Sequence, residues 1–187
     1  MYQKKIFLIG LLTGTALCLL VLFIIRFIHL NNTATISTEQ RTALIKLGVE
    51  AAKQKEVPVA SLLLYGNSII GEGKNSVLAD TNIAAHAEIN AVNDAIKIKG
   101  IEEFNLLNRD SLILITTFEP CPMCAGALAE NQIKHVVVVQ SKSLNYKWKE
   151  WERCLVLQRN MQSMRDDILQ DSLFRLFPGI DEKAISY

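Results

Sequence analysis

No charged residue interrupts residues 6–25, "IFLIGLLTGTALCLLVLFII". As a helix rising about 1.5 Å per residue, these 20 residues span the roughly 30 Å hydrocarbon core of a bilayer, so the pattern predicts one N-terminal transmembrane helix. A cleaved secretory signal fits less well. Its apolar region runs about 7–15 residues, and the nearest small-residue site, around Ala34, lies beyond Arg26 and His29. Gly10 and Gly14 have the GxxxG spacing that lets two such helices approach closely, although glycine is common in membrane helices anyway.

After a polar linker over residues 31–36, Ser37 and Gln40 form a capping-box pair and open a helix through about Lys55, with Leu44, Leu47 and Ala51 on one face. Pro58 stops that pattern. "VASLLLY" reads as a strand, Gly66-Asn67 as a turn and "SIIGEG" as the hairpin partner. A helix follows from about His86 to Lys99 and ends at Gly100; then come "SLILITT", a helix over about Cys121 to Asn131, and "HVVVV". Both apolar runs read as buried strands. The order α, β, β, α, β, α, β, with a helix between the last two strands, predicts a parallel crossover and a three-layer α/β/α sandwich with a mixed sheet. Beyond Gln140 the periodicity is mostly helical, with "CLVLQ" as the one stretch where a fifth strand would fit. The organisation expected is an anchor over residues 1–30 and one domain over 31–187, with its motif-bearing part at about 37–140 and a helical part at about 141–187.

Charge narrows the function. Setting aside Lys4, Lys5 and Arg26 leaves 17 basic residues against 19 acidic ones after the anchor, a charge of about −2. That part carries no net basic footprint, which counts against tight nucleic-acid binding. The four cysteines are too few and too unevenly spaced for a disulfide framework. Cys18 falls in the anchor and Cys154 reads as a small core hydrophobe. Cys121 and Cys124 remain, at metal-ligand or redox spacing.

The chemistry collects at two helix starts. In "HAEINAV", His86 and Glu88 stand two residues apart, a spacing that points side chains to opposite sides within a helix. Both reach one site only if His86 precedes the first helical turn. In "PCPMC", Cys121 and Cys124 share one face of a first turn, where Pro120 and Pro122 are tolerated because early N–H groups have no intrahelical partner. A helix N-terminus also favours thiolate. Two thiolates and an imidazole give three zinc ligands with one position open, the arrangement of a catalytic zinc. Glu88 would then move protons while the metal makes hydroxide available near neutral pH.

Each half has an ordinary reading. A lone His-x-Glu is usually a cap or a surface pair, and a lone Cys-x-x-Cys suits a redox motif or a fragment of a structural zinc site. Together and in this order, His-x-Glu followed by Pro-Cys-x-x-Cys is the signature of zinc deaminases acting on bases. The sequence resembles the cytidine-deaminase-like zinc hydrolases over about Ser37 to Gln140, most closely their branch of bacterial tRNA adenosine deaminases and guanine deaminases. "VPVASLLLYGNSIIGEGKN", "AHAEINAV" and "TTFEPCPMCAGAL" carry the likeness.

The resemblance implies that His86, Cys121 and Cys124 bind zinc, that Glu88 shuttles protons, and that Asn75 and the backbone N–H of Ala87 contact substrate. It also implies a mixed sheet flanked by helices and a homodimer. The chain departs from the tRNA enzymes at Ala60, where they usually have glycine, in "SKSLNYKWKEWERC", in lacking a basic tail, and in its anchor. "EPCPMC" is closer to guanine-deaminase-like members.

Trp148 and Trp151, with Tyr146 nearby, either stack on a base or form a helical stripe of core or interface. Glu119 either pairs locally or orients the cysteine loop, and His135 reads as structural. The expectation is a single-pass membrane zinc deaminase of a free nucleobase or nucleoside, guanine first, with tRNA adenosine-to-inosine editing second. A zinc-holding interaction module without activity is the reading from another class, and Glu88 counts against it. Lys4 and Lys5 before the anchor against Arg26, Arg41 and Lys46 after it leave orientation undecided. Zinc thiolates favour a reducing compartment and so the cytoplasmic side.

Overall fold

The computed structural model describes residues 35–162 and, outside that span, Leu17, Cys18, Leu20, Val21 and Leu173. Those four N-terminal positions are helical, but the rest of the predicted 6–25 span, including Gly10 and Gly14, lies outside the described residues. No helix among the described residues is long and apolar enough to cross a membrane, so the expected transmembrane helix has no structural support. The chain divides into two compact units, residues 1–141 and 142–187.

In the first unit, helix α1 (Thr38–Lys53) starts at the expected capping box: Ser37 Oγ accepts from Gln40 N–H, and Gln40 Oε1 accepts from Ser37 N–H. Strands β1 (Ala60–Tyr65) and β2 (Ser68–Lys74) form the antiparallel hairpin, turning at Gly66, whose φ of 61° suits glycine. Helix α2 (Ala87–Lys99) follows, then a short helix α3 (Ile101–Leu106) that the sequence pattern did not show. Strand β3 (Leu112–Phe118), helix α4 (Pro122–Glu130) and strand β4 (His135–Gln140) complete the unit. The sheet runs β2-β1-β3-β4, antiparallel except for the parallel β3–β4 pair, and is therefore mixed as expected.

Alternation along β1 makes the three layers. Leu62 and Leu64 join Leu44 and Leu47 of α1 on one face, while Leu63 joins Ala91, Val92 and Ala95 of α2, Phe104 and Leu128 on the other. Each such buried Leu or Phe contributes about 1.5–3 kcal/mol. Ala60 is fully buried in the α1 cluster.

Two glycines of β2 let α2 lie flush on the sheet. A Cβ at Gly71 would meet Ala91 O at 2.2 Å, and one at Gly73 would meet Ala87 O at 2.1 Å. The close approach seats the start of α2 against the sheet. That start carries the predicted chemistry.

β4 departs from its expected burial. Val136 and Val139 are exposed, Val139 by 60%, because β4 is an edge strand among the described residues and pairs only with β3. An all-valine run fits a strand covered on both faces equally well, so sequence alone did not separate the two. His135 opens this strand, exposed, opposite Ile113.

The second unit contains helix α5 (Leu144–Asn160), opened by Ser143, whose Oγ accepts from Tyr146 N–H. "CLVLQ" lies within this helix and forms no strand. Cys154 is half-buried on it rather than a core residue. Inside the unit Lys142 and Glu150 form a buried ion pair at 2.7 Å.

Candidate active site

The site is assembled where two chain segments turn into helices. Asn90, one turn into α2, donates from Nδ2 to Lys74 O at 2.8 Å, Ser76 Oγ at 2.9 Å and Ala85 O at 3.3 Å. Ser76 N–H also donates to Ala85 O at 3.0 Å. These bonds tie the chain leaving β2 to the chain entering α2. His86 is the N-cap, extended at φ −78° and ψ 154°, and makes no side-chain capping bond. Its ring is thus free of the helix, and Glu88 sits in the first turn.

The second segment leaves β3, passes Glu119, whose N–H donates to Gln140 O at 3.0 Å, and turns at Cys121. Cys121 is an N-cap in extended conformation at φ −76° and ψ 168°, with Pro122 at the start of α4. Cys124 lies on the same turn and is fully buried.

The three expected ligands meet. Cys121 Sγ and Cys124 Sγ are 3.6 Å apart, and His86 Nδ1 is 3.7 Å and 3.5 Å from them respectively. A tetrahedral zinc with Zn–S of about 2.3 Å and Zn–N of about 2.0–2.1 Å sets its donors roughly 3.5–3.8 Å apart. The donor set fits zinc in chemistry and in spacing. Among the described residues no fourth His, Cys, Asp or Glu joins the group. Both thiols are free, and the imidazole beside them supplies a third metal donor.

Electrostatics prepares the thiols. The Cys124 thiol beside it pulls the Cys121 thiol down to about 4, against the opposing effect of burial, and helix N–H groups and His86 act with it. Cys124 is pushed the other way, by the hydrogen bond with Cys121 and by burial. A metal that replaces the shared proton would find both sulfurs already at donor distance.

Glu88 is 4% exposed, and burial raises its carboxyl above the usual carboxylate range. A buried carboxyl shifted toward its neutral form suits general acid and base work. Ala87 is the first helical residue and fully buried, so its N–H is among those without an intrahelical partner.

Residues 38–140, more than half of the chain, match the family model of the cytidine and deoxycytidylate deaminase zinc-binding region. The chain belongs to this family. It is 37% identical over 93 residues to a tRNA-specific adenosine deaminase of Buchnera aphidicola subsp. Schizaphis graminum, an alignment covering 50% of this chain and 58% of that relative. Among solved structures it resembles a guanine deaminase from Bacillus subtilis, with a TM-score of 0.57 at 22% identity over 79% of this chain and 99% of the other. That likeness concerns the fold. It also resembles a chain from structural work on tRNA A34 deaminases, with a TM-score of 0.51 at 25% identity over 57% of this chain and 73% of that one.

Asn75, expected from the resemblance, is buried at the end of the β2 hairpin, one residue before the Ser76–Ala85 bond. Sequence reasoning missed the residue that holds it. Glu56 Oε2 accepts from Asn75 Nδ2 at 2.9 Å, and nothing in hydrophobic periodicity marks a lone acid between a helix and a strand as buried. The one available signal was its position directly before "VPVAS". Trp148 and Trp151 lie on α5 in the second unit, 62% and 52% exposed, with ring centroids 5.1 Å apart. The two rings contact each other in a tilted pair, with 49° between their planes.

Proposed function

We propose that this chain is a zinc-dependent hydrolytic deaminase that removes an amino group, as ammonia, from a free nucleobase or nucleoside. The observation that carries the reading is Glu88, a buried carboxyl in the first turn of the helix that His86 caps, beside a three-donor metal site with no fourth protein ligand among the described residues. A structural zinc has four protein ligands and no use for a neighbouring acid.

His86, Cys121 and Cys124 would hold the metal. Bound zinc supplies a Lewis acid that makes water nucleophilic near neutral pH. Glu88 takes the proton released as water adds to the amidine carbon, delivers it to the ring nitrogen, and returns a proton to the departing amino group. Water and the amidine thereby become a carbonyl compound and ammonia. The Ala87 N–H and the Asn75 amide orient the base.

Charge ranks the substrates. Phosphate neutralisation by Lys and Arg dominates nucleic-acid affinity, and a post-anchor charge of about −2 offers little of it. Guanine is the first substrate expected. Adenosine-to-inosine editing in tRNA is the second reading, because the chain is 37% identical to a relative named tRNA-specific adenosine deaminase. The full chain, loaded with zinc, should release ammonia from guanine or another free base or nucleoside faster than it forms inosine in an anticodon stem-loop. Inosine without turnover of any small substrate would reverse the ranking. Silence across such a panel would favour the non-enzymatic zinc module.

Residues 6–25 further support a single-pass anchor, and the thiolate ligands favour the cytoplasmic side for the domain. Protease added to intact spheroplasts should therefore leave the domain uncut. Its digestion from outside would refute the orientation.

A further inference from the structure

Glu56 is 6% exposed, and no ion pair involves it among the described residues. An isolated carboxylate is costly to bury unless hydrogen bonds compensate it. Here three N–H groups do so. Oε1 accepts from Leu78 N–H at 2.5 Å and Ala79 N–H at 2.9 Å, and Oε2 accepts from Asn75 Nδ2 at 2.9 Å.

The first two bonds fasten the loop after β2. The third has a different consequence. A carboxylate only accepts, so the nitrogen of the Asn75 amide must face it, which fixes an orientation that an asparagine could otherwise reverse. The carbonyl oxygen, Oδ1, accepts no hydrogen bond among the described residues and is the acceptor Asn75 has left to offer. The backbone holds the rest of the residue. Asn75 N–H donates to Val59 O at 3.1 Å, and the next residue pairs with Ala85 beside His86.

We propose that Glu56 is a positioning residue that locks the Asn75 amide with its oxygen presented to substrate, and so selects bases or nucleosides that offer an N–H or O–H donor there. This rests on the deaminase reading. Glu56 touches no reacting atom. It acts by deciding which end of the Asn75 amide is available, and a neutral amide in its place would leave that choice open or reverse it.

Glu56→Gln is the informative change. The introduced amide keeps one oxygen for the Leu78 and Ala79 N–H groups and turns its nitrogen toward Asn75, which then rotates and offers a donor where an acceptor is needed. In the full chain, with guanine as substrate or the adenosine-bearing stem-loop if that alone is turned over, KM should rise about 10- to 100-fold, the scale of an unmatched buried hydrogen bond. kcat and zinc content should change little. Adding Asn75→Asp to Glu56→Gln restores an acceptor facing substrate and should return KM to within roughly threefold of the starting protein. A purely structural role would not be rescued in this way.

The side-chain amide spectrum of Asn75 gives a readout independent of turnover. One Nδ2 proton should be protected from exchange in the parent protein and lose that protection in Glu56→Gln. An unchanged KM, or a KM that the second substitution fails to restore, overturns the proposal. If no substrate is turned over, the deaminase reading fails by itself, and an unchanged Asn75 signal in Glu56→Gln overturns the lock.

Discussion

Glu88→Gln is expected to lower ammonia release by about 10³-fold or more while leaving zinc content and fold intact. A single proton transfer by a positioned side chain is worth about 10²–10⁴-fold, and the proposed reaction asks this one carboxyl for transfers in both directions. Glutamine keeps the shape and can neither take nor return a proton. The fold should tolerate it because the native carboxyl is itself a burden: burial raises its pKa in the metal-free protein. A carboxyl with a raised folded-state pKa stabilises the fold below its ordinary value and costs stability as pH rises above that value. At neutral pH the neutral isostere removes that cost. Metal-free Glu88→Gln should therefore melt at the same temperature as the parent protein or higher. Activity within tenfold of the parent, at equal zinc occupancy, would remove Glu88 from the mechanism.

The chemistry was more legible in the sequence than the architecture around it. His86-x-Glu88 made sense only at a helix start, and the structure places His86 at the N-cap in extended conformation. Cys121 is likewise an N-cap, with proline directly after it. Such signals are local, because capping and proline act within a few residues. What could not be read depends on contacts distant in sequence. The edge position of β4 is set by which strands pair, and the burial of Glu56 by a loop more than 20 residues away. The amide of Asn90 ties the end of β2 to the start of α2, through carbonyls that hydrophobic periodicity does not reveal. Gly71 and Gly73 look like ordinary weak points of a strand until the carbonyls of Ala87 and Ala91 are seen against them. The helical spacing of the tryptophans was legible, and within the second unit it brings the two rings to a centroid distance of 5.1 Å.

Cys124→Ala should abolish zinc binding outright, from about one metal per chain to background. The remaining pair, His86 and Cys121, spans 3.7 Å between donors but offers only two ligands, too few to fix a tetrahedral ion. Metal loss should also be visible in stability, because the site joins the start of α2 to the start of α4 and a ligand that binds only the folded chain stabilises it by mass action. At a free zinc concentration of about 1,000 times the dissociation constant, that stabilisation is about 4 kcal/mol. For a chain of this size 1 kcal/mol moves the melting temperature by roughly 2–4 °C, so chelation should lower it by roughly 8–16 °C. The variant should melt near the chelated parent protein and respond to neither zinc nor chelator. Cys124 is fully buried, so alanine also leaves a small cavity, and Cys121→Ala, at a half-buried position, separates the two effects. Both variants should lose the metal, and only the first should pay an additional packing cost. Stoichiometric zinc in either one, measured by elemental analysis under reducing conditions, would show that the ion is held elsewhere and would leave the proposed reaction without its nucleophile.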